Sequence, residues 1–581
     1  MARKREYRPG GVPHGAETQT SFRAVFRTVR NGAIVPARFP RGAEDCNRRG
    51  EVSAWCGTVK SFVAFRMVRK GSAYGGEYHC VRGACRVAGG GGGVPAAQTA
   101  GGEKVGSSCL RGLFRLVRVL RRAVAAFVAF VAAKKYNACD MIVMKFGGSS
   151  VANAERIRHV AEIIQAYRDE RPVVVLSAMG DTTDHLLEAA ETAVRGTVSI
   201  EQVAQLHRST ARELGIDVPE LEDLLGELHT LLTGISMLRE LTKRTRDYLV
   251  SFGERLSVRI MAAYLQTCGT PARAYDSWDI GFVSDSNFMA AELLDDVWEA
   301  IPRHLGGYAR GEDEAIPVVT GFIAKDRHGT ITTLGRGGSD LSATMIGAAM
   351  RAKEIQTWKD VDGIMTTDPR VVPDAKPVEE VTYEEAQELA LFGSQVLHPR
   401  SMIPCRKTGT PVRVKNSYNR MSRGTVIVEQ HSSARPLVTA ITSVKHVTLI
   451  DIQSSRMLGA AGFLAHIFNQ FLKWNVSIDV IATSEVSVSL TVSGKADLGG
   501  LTEDLERVAD VSVRTGKAIV TVICDASRSS TILSRSFDAL EREGINVQMI
   551  SQGASKVNIS VLVDDAQADR TVEAIHAALF A

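Results

Sequence analysis

At 581 residues, with 45% hydrophobic and 23% charged residues, the chain is long enough for three or four domains with buried cores. The longest apolar run, Ala123–Ala133, is too short to cross a bilayer and lies beside arginines, so we expect no membrane span. The net charge of +5 is uneven, because residues 1–140 carry 25 Lys and Arg against 8 Asp and Glu, and residues 141–581 carry 45 against 57.

Residues 1–140 form a basic extension, rich in Arg and Gly, that we predict to be disordered because it offers little apolar surface to bury. Four interpretations stay open. Translation starts upstream of a true initiator at Met141; the segment is a targeting peptide; it is an Arg/Gly tail for nucleic acid; or His79, Cys80 and Cys85 bind a metal. The last interpretation lacks a clear second ligand pair. The three cysteines beyond this extension lie far apart, which indicates a reducing compartment rather than a disulfide framework.

The stretch Met141–Ser150 combines a short apolar strand with a Gly-Gly turn, and a helical pattern of Ile157, Val160, Ile164 and Tyr167 follows it. Glycines let the backbone approach a ligand closely, and N–H groups at a helix start attract an anion. Lys145 precedes the glycines, so the motif is not a Walker A loop. The pattern indicates either a phosphate-binding turn or a simple tight turn.

Strands and helices then alternate. Pro172–Ala178 and Ile316–Ile323 are predicted as buried strands, Leu186–Ile235 as a long helical region, and Thr382–Leu391 as a helix with a capping box. A second glycine motif, Gly335–Asp340, follows a short strand and precedes a helix of small residues. The alternation predicts an α/β sandwich around a mainly parallel sheet.

After about residue 433 the same βαββα pattern occurs twice, with Val480 and Met549 in equivalent positions. Two small α+β units of this kind are more typical of regulation or dimerisation than of catalysis. The predicted division is 1–140 for the extension, 141–432 for the catalytic domain, and 433–513 and 514–581 for the two α+β units.

The chemistry of the two glycine motifs fits phosphoryl transfer. Arg336 can bind a carboxylate or phosphate through its guanidinium fork, and Asp340 can orient Lys145, a metal ion or an ammonium group. No zinc spacing, Ser-His-Asp order or Rossmann motif competes with this interpretation. Positioning and cationic stabilisation are what phosphoryl transfer requires of a protein.

Six motifs together resemble aspartate kinase, of the amino acid kinase fold. They are KFGGSSV, SAMGDTTD, SFGE, GRGGSD, WKDVDGIMTTDPR and LHPRS. The resemblance implies a carbamate kinase-like α/β/α sandwich, followed by two ACT domains in a monofunctional enzyme. It also implies ATP-dependent phosphorylation of L-aspartate to 4-phospho-L-aspartate, the first step toward lysine, threonine, methionine and diaminopimelate.

The resemblance implies catalytic roles for Lys145, which would meet the ATP phosphates, and Asp340, which would align Lys145 with the substrate. The aspartate-binding positions that it implies are Thr183, Glu254, Arg336 and Ser339. The nucleotide-binding positions that it implies are Lys145, Phe146, Gly147, Gly148, Lys359, Asp360, Met365, Arg370 and Gln395. Some members carry Tyr at the position of Met365 and Lys at that of Gln395. Mg²⁺ is expected with ATP, and no dedicated protein metal site is predicted.

The first ACT domain resembles that of lysine-sensitive members, so lysine is the expected feedback inhibitor. The effector-binding positions that the resemblance implies are Met457, Phe463, Ser477, Asp479, Ser484 and Glu485, and Asp479 would bind the lysine amine. Family precedent suggests interleaved ACT domains and a homodimer or dimer of dimers formed through them. These effector positions could instead serve only the dimer interface.

We expect a cytoplasmic enzyme, or an organellar one if the extension is a transit peptide, with no nucleic-acid or membrane partner. Two other functions remain as alternatives: a kinase of glutamate or acetylglutamate, and an inactive amino-acid sensor that uses only its ACT domains. A fused homoserine dehydrogenase is not expected, because Ala581 follows soon after the second ACT pattern.

Overall fold

The computed structural model describes residues 139–393, 397–454, 462–493, 498–553 and 557–580, together with short strands in the first 64 residues. The chain divides into two compact units, residues 1–114 and 115–581. In the first unit the described strands form three pairs, β1 with β4, β2 with β3, and β5 with β6. Their bounds are β1 Ser21–Phe22, β2 Arg27–Arg30, β3 Ala33–Pro36, β4 Arg49–Gly50, β5 Trp55–Thr58 and β6 Ser61–Ala64. The rest of the predicted disordered extension, including the candidate metal residues, lies outside the described residues.

The second unit begins with an eight-stranded sheet in the order β15-β17-β16-β14-β7-β8-β11-β9. All neighbours are parallel except β16 and β17. The strands of this sheet are β7 Cys139–Phe146, β8 Val173–Leu176, β9 Ala272–Tyr275, β11 Ile316–Thr320, β14 Ala352–Lys359, β15 Glu380–Thr382, β16 Val412–Asn416 and β17 Thr425–Val428. A smaller sheet joins β10 Val283–Ser284, β12 Ile323–Asp326 and β13 Ile331–Thr333.

Helices cover both faces of the large sheet. Ile142, Met144 and Phe146 of β7 pack into one hydrophobic core, whereas Met141 and Val143 pack into another. This two-residue period with both faces buried is the signature of a central strand in an α/β/α sandwich, and the predicted fold is therefore confirmed. The helices are α1 Ala154–Ala166, α2 Thr182–Val194, α3 Glu201–Leu214, α4 Pro219–Leu238, α5 Lys243–Thr267, α6 Val297–Ala309, α7 Gly338–Met350, α8 Tyr383–Leu391 and α9 Ile403–Thr408.

Two predicted elements differ from the structure. The long helical region over 186–235 contains three helices. Gly196, with φ of +104°, follows α2, and Gly215 adopts a left-handed conformation at the end of α3 before Pro219 begins α4. The strand predicted over 316–323 divides after Thr320, where Phe322 has φ of +69°, and its second part joins the smaller sheet. The helical pattern predicted after the glycine turn is confirmed, because Ile157, Val160 and Ile164 are buried on α1, which follows a 3₁₀ turn.

The C-terminal part is one antiparallel sheet of six strands in the order β19-β20-β18-β21-β23-β22. Its strands are β18 Val438–Gln453, β19 Ile481–Thr483, β20 Ser487–Val492, β21 Asp510–Cys524, β22 Met549–Ser551 and β23 Asn558–Asp564. Its helices are α10 Phe463–Lys473, α11 Gly499–Glu506, α12 Ser529–Arg542 and α13 Ala568–Phe580. Two α+β patterns are present, as predicted.

The two α+β patterns share their long strands. Val438 and Ile441, at the start of β18, belong to the same core as residues of α12 and α13, whereas Ile450 and Ile452 pack with α10 and α11. The predicted boundary between 513 and 514 remains a prediction, and the cores place the first half of β18 with the second pattern. None of the helices in the described ranges has the length and apolar content that crossing a membrane requires.

Candidate active site

Lys145 stands near the end of the central strand β7, at the edge where the parallel strands have their carboxyl ends. This edge is where ligands bind in open α/β sheets. The following turn needs glycine, because a Cβ on Gly148 would lie 2.8 Å from the carbonyl oxygen of Ala178. After a 3₁₀ turn, the side chain of Asn153 caps α1 by accepting a hydrogen bond from the Arg156 amide. The predicted strand, glycine turn and helix are therefore all present.

The second glycine motif brings Asp340 to Lys145. Gly337 has φ of +74°, and a Cβ there would lie 2.4 Å from the His398 Cβ, so the loop can turn tightly into α7. Asp340 lies in the first turn of α7, and its Oδ1 is 2.7 Å from Lys145 Nζ. Lys359, at the end of β14, adds a second ammonium group at 3.8 Å from Asp340 Oδ2.

The two lysines decide the charge of Asp340. Burial alone would raise the pKa of this carboxyl, but the charges of Lys145 and then Lys359 outweigh burial and hold the pKa below its ordinary value. Asp340 is consequently ionised at neutral pH. Burial also lowers the pKa of Lys359, an effect that the charge of Asp340 opposes.

Glu254 presents the opposite electrostatic situation on α5. Only 4% of the residue is exposed, its Oε1 accepts a hydrogen bond from the Ala178 amide at 3.2 Å, and its Oε2 has no partner within the described part of the chain. Burial raises the pKa of Glu254 to about 8, against smaller opposing effects of hydrogen bonds and of Lys145. A buried carboxyl with an open acceptor is suited to receive a cationic group.

A cavity of about 470 Å³ connects these groups. It is lined by Lys145 and Asp340 on one side, and by Thr183, Glu254, Arg336 and Ser339, which are the six predicted catalytic and aspartate-binding residues. Arg336 is exposed and makes no hydrogen bond or ion pair with any residue in the described ranges. The cavity thus combines an unpaired guanidinium, a neutral buried carboxyl and an ion pair next to two glycine-containing turns.

The predicted nucleotide-binding residues do not all gather at this cavity. The Phe146 side chain is fully buried and stacked on Trp358, so the predicted nucleotide contact can come only from its main chain. Asp360 is exposed beyond Lys359, and Met365 forms an isolated β-bridge with Pro377. The Arg370 guanidinium binds Asp368, with Nη2 to Oδ2 at 2.6 Å. Gln395 lies outside the described residues.

The predicted effector residues lie in the first α+β pattern. Phe463 is the first residue of α10 and is half-buried, whereas Ser477, Asp479, Ser484 and Glu485 are exposed. Asp479 Oδ1 accepts a hydrogen bond from Ser493 Oγ at 3.0 Å, and the Ser484 and Ser487 hydroxyls are 2.7 Å apart. Met457 lies outside the described residues.

Sequence reasoning missed part of the cavity wall. The lining also includes Leu187, Arg246, Asp247, Val250, Met289, Phe322 and Thr333. One signal was available for Asp247, because it precedes Glu254 by seven residues and so lies on the same face of α5. Nothing in the sequence indicates that Met289 and Phe322 adopt positive φ, at 74° and 69°.

Comparisons with known proteins agree with this geometry. The Amino acid kinase family model matches residues 140–416, and an ACT domain model matches residues 526–579. Aspartokinase 1, chloroplastic, of Arabidopsis thaliana is 50% identical over 75% of this chain and 80% of its own length.

Two solved structures of Escherichia coli aspartokinase III share 31% identity with this chain, and each comparison covers 76% of this chain and 100% of theirs. One, in complex with lysine and aspartate in the T-state, has a TM-score of 0.65; the other, in complex with aspartate and ADP in the R-state, has a TM-score of 0.62. On its motifs, its fold and these similarities, the chain belongs to the aspartokinase family.

Proposed function

We propose that the cavity between α5 and α7 is where the side-chain carboxylate of L-aspartate attacks the γ-phosphate of ATP. As an aspartokinase, the enzyme uses ATP to form 4-phospho-L-aspartate, the first step in the biosynthesis of lysine, threonine and methionine. The observation that carries our assignment of the site is the 2.7 Å ion pair of Lys145 and Asp340, set between two glycine turns and facing Glu254 and Arg336.

In the proposed arrangement, Lys145 neutralises the charge that develops on the transferred phosphoryl group, and Asp340 holds Lys145 in place. No general base is needed at the nucleophile, because a free aspartate side chain is already ionised at neutral pH. The N–H groups of Gly147, Gly148 and the first turn of α7 provide further anion-binding donors. We retain Lys359, Asp360, Met365, Arg370 and Gln395 as proposed nucleotide positions.

The other side of the cavity recognises the amino acid. Arg336 binds the α-carboxylate through its guanidinium fork, Glu254 binds the ammonium group, and the Thr183 and Ser339 hydroxyls complete the hydrogen bonds. This division of labour is supported by the unpaired state of Arg336 and the open acceptor of Glu254 in the described part of the chain.

Mg²⁺ accompanies ATP in the proposed complex. Among the described residues no three His, Cys, Asp or Glu side chains are grouped so as to hold a metal ion. Mg²⁺ commonly binds through nucleotide phosphates and keeps several waters, so the proposed complex needs no dedicated cluster of protein ligands. When bound, the ion would neutralise phosphate charge together with Lys145.

The experiment is an aspartate-dependent hydroxamate assay on the full chain with ATP and Mg²⁺, using aspartate, glutamate and acetylglutamate as substrates. We expect turnover with aspartate and at most slight turnover with the other two. Arg336→Ala should raise the KM for aspartate with little change in the KM for ATP. Equal turnover of glutamate, or an unchanged KM for aspartate in this variant, would contradict the proposed site.

We also propose that lysine inhibits the enzyme by binding the first ACT domain, with Asp479 as partner of the lysine amine. The support is the exposure of Asp479, Ser484 and Glu485 within one short segment, and the lysine complex of the Escherichia coli relative. Asp479→Ala should abolish lysine inhibition, whereas Asp510→Ala, which removes another exposed acid of the same sheet, should not. Equal inhibition of both variants would exclude this role for Asp479.

A homodimer formed through the first ACT domain is the third part of the proposal. Leu464, Phe468 and Leu472 lie four residues apart on α10, and all three are exposed, at 39%, 37% and 77%. A stripe of this kind on one helix face indicates a protein interface. Leu472→Glu should convert dimers to monomers in light scattering after gel filtration, and an unchanged mass would contradict the interface.

We propose finally that the basic residues 1–140 contain a transit peptide, since the Arabidopsis relative is named as chloroplastic. Fusion of residues 1–140 to a fluorescent protein should direct it to plastids in plant cells. A cytoplasmic signal would instead favour the cytoplasmic expectation and an initiator at Met141.

A further inference from the structure

Asp247 is a buried carboxylate that the proposed chemistry does not use. It lies in the second turn of α5, only 1% of the residue is exposed, and it forms no ion pair within the described ranges. It faces the same cavity as Glu254, which lies two helical turns further along α5. The charge of Arg246 favours the ionised form of Asp247, and the carboxylate also accepts four hydrogen bonds.

The four hydrogen bonds come from two separate segments. The Met289 amide donates to Oδ2 at 2.9 Å and to Oδ1 at 3.1 Å. The Thr333 amide donates to Oδ2 at 2.9 Å, and the Thr333 hydroxyl donates to Oδ1 at 2.8 Å. Burial raises the pKa of Asp247, while these hydrogen bonds favour its ionised form. Both carboxylate oxygens are therefore engaged, and each bridges the two segments.

Both segments contribute to the lining of the cavity next to α5. Met289 has φ of +74°, a conformation that residues with a side chain rarely adopt, and 36% of it is exposed at the cavity. Such a conformation persists only when its surroundings fix it, and here the two hydrogen bonds to Asp247 do so. The Ala291 amide donates to the Thr333 carbonyl at 2.9 Å and joins the two segments directly.

Thr333 is the last residue of β13, and only Leu334 and Gly335 separate it from Arg336. A Cβ on Gly335 would lie 3.1 Å from the Met289 carbonyl oxygen. The turn that carries Arg336 therefore packs closely against the backbone of Met289. Since Arg336 has no partner of its own in the described part of the chain, its reach into the cavity depends on this backbone.

We propose that Asp247 is a positioning residue for aspartate recognition, which fixes the Met289 and Thr333 segments and thereby the reach of Arg336. The inference rests on the proposed role of Arg336 in binding the α-carboxylate. It assigns to Asp247 no contact with substrate and no part in phosphoryl transfer.

The test compares Asp247→Asn with Asp276→Asn in the full-length enzyme. Asn keeps the shape but turns an NH₂ group toward main-chain donors, so it loses bonds on one side. We expect the KM for aspartate to rise about tenfold or more, as for loss of hydrogen bonds to a charged group, with the KM for ATP within about twofold. Asp276 is also a buried carboxylate, paired with Arg259 and absent from the cavity lining, so its variant should leave the KM for aspartate unchanged.

A milder pair of variants covers the case in which Asp247→Asn does not fold. Thr333→Val removes only the hydroxyl bond to Asp247, and Thr333→Ser keeps it. We expect Thr333→Val to raise the KM for aspartate about threefold or more, and Thr333→Ser to restore it. Equal KM values for the two variants would overturn the proposal.

A double-mutant cycle with Arg336→Ala separates this inference from the proposed function. If Asp247 acts through Arg336, Asp247→Asn should add little to the KM for aspartate once Arg336 is removed. If the double variant instead raises the KM for aspartate by the product of the two single effects, the positioning role of Asp247 is overturned. If Arg336→Ala alone leaves the KM for aspartate unchanged, the proposed function fails. If Arg336→Ala raises the KM for aspartate but Asp247→Asn does not, only the role of Asp247 is rejected.

Discussion

Asp340 and Glu254 face the same cavity and are almost equally buried, with 7% and 4% of each residue exposed, but their pKa values move in opposite directions. Asp340 has two lysines within 4 Å and remains ionised. Glu254 has one amide donor and an unused oxygen, so burial dominates and its pKa rises to about 8.

The comparison shows that local charge, and not depth of burial, sets the protonation state of each carboxyl. On the proposed phosphate side, Lys145 and Asp340 already form an ion pair. On the proposed amino-acid side, Glu254 stays neutral until a cation arrives. We expect two carboxyls with opposite pKa shifts to have different roles in one reaction.

The largest effect should follow from removing Lys145. Lys145→Ala leaves Asp340 without its closest cation and the transferred phosphoryl group without a nearby positive charge. We expect kcat to fall by about 10³-fold, as for loss of a preorganised electrostatic group. Steady-state hydroxamate kinetics would measure this, with Lys353→Ala as the control, because Lys353 forms an exposed ion pair with Glu170 and does not line the cavity. A kcat within about tenfold of wild type would contradict the proposed role of Lys145.

The sequence predicted the residues of its short motifs better than the segments that contain Met289 and Thr333. Lys145, Gly148 and Asp340 lie within short motifs, where local spacing already indicates strand, turn and helix. Those two segments are held by hydrogen bonds to Asp247, from which Met289 and Thr333 are 42 and 86 positions away in the sequence. No local pattern encodes such distant contacts, and none indicated the positive φ of Met289.

The C-terminal sheet shows the same limit. Its two repeated patterns were visible because each helix and strand has its own periodicity. The long strands β18 and β21, which run through both patterns, are joined by pairing between residues far apart in the sequence, as between Val444 and Ile519. The periodicity of the sequence predicts the individual helices and strands. It does not predict which distant strands pair, and this pairing determines how the two α+β patterns share one sheet.

A second variant tests the side of the cavity that we propose to bind the amino acid. Glu254→Gln cannot become negative, so it should bind the ammonium group of aspartate less tightly. We expect the KM for aspartate to rise about 10- to 100-fold while the KM for ATP changes little. Kinetics with each substrate varied in turn would show the split. An equal rise in both KM values would indicate that Glu254 supports the whole cavity rather than the amino-acid side.

The raised pKa of Glu254 also predicts a pH-dependent stability. The unfolded carboxyl ionises above about 4.5, but the folded one stays protonated until about 8, so ionisation favours the unfolded state across this window. The free energy of unfolding of the wild type relative to Glu254→Gln should fall by up to a few kcal/mol between pH 4.5 and 8. Urea denaturation of both proteins at about pH 5 and about pH 8 would measure it. A constant difference would contradict the raised pKa.

The smallest effect concerns the contact of the proposed nucleotide segment with the C-terminal sheet. Thr366 Oγ1 lies 3.1 Å from His576 Nε2 on α13, and the Thr366 carbonyl accepts a hydrogen bond from the Ile441 amide. His576→Ala should raise the KM for ATP by no more than about threefold, as for one neutral hydrogen bond, without changing the KM for aspartate. A change in the KM for aspartate alone would contradict the assignment of this contact to the nucleotide side of the site.

The most direct test of the opposite protonation states is proton release on aspartate binding. Isothermal titration calorimetry at pH 7, in two buffers with different ionisation enthalpies, counts the protons exchanged. Because the pKa of Glu254 is about 8, it is mostly protonated at pH 7 in the free enzyme and must ionise to pair with the aspartate ammonium group. We predict release of close to one proton with wild type and none with Glu254→Gln, whereas equal release by both proteins would contradict a neutral Glu254 opposite an ionised Asp340.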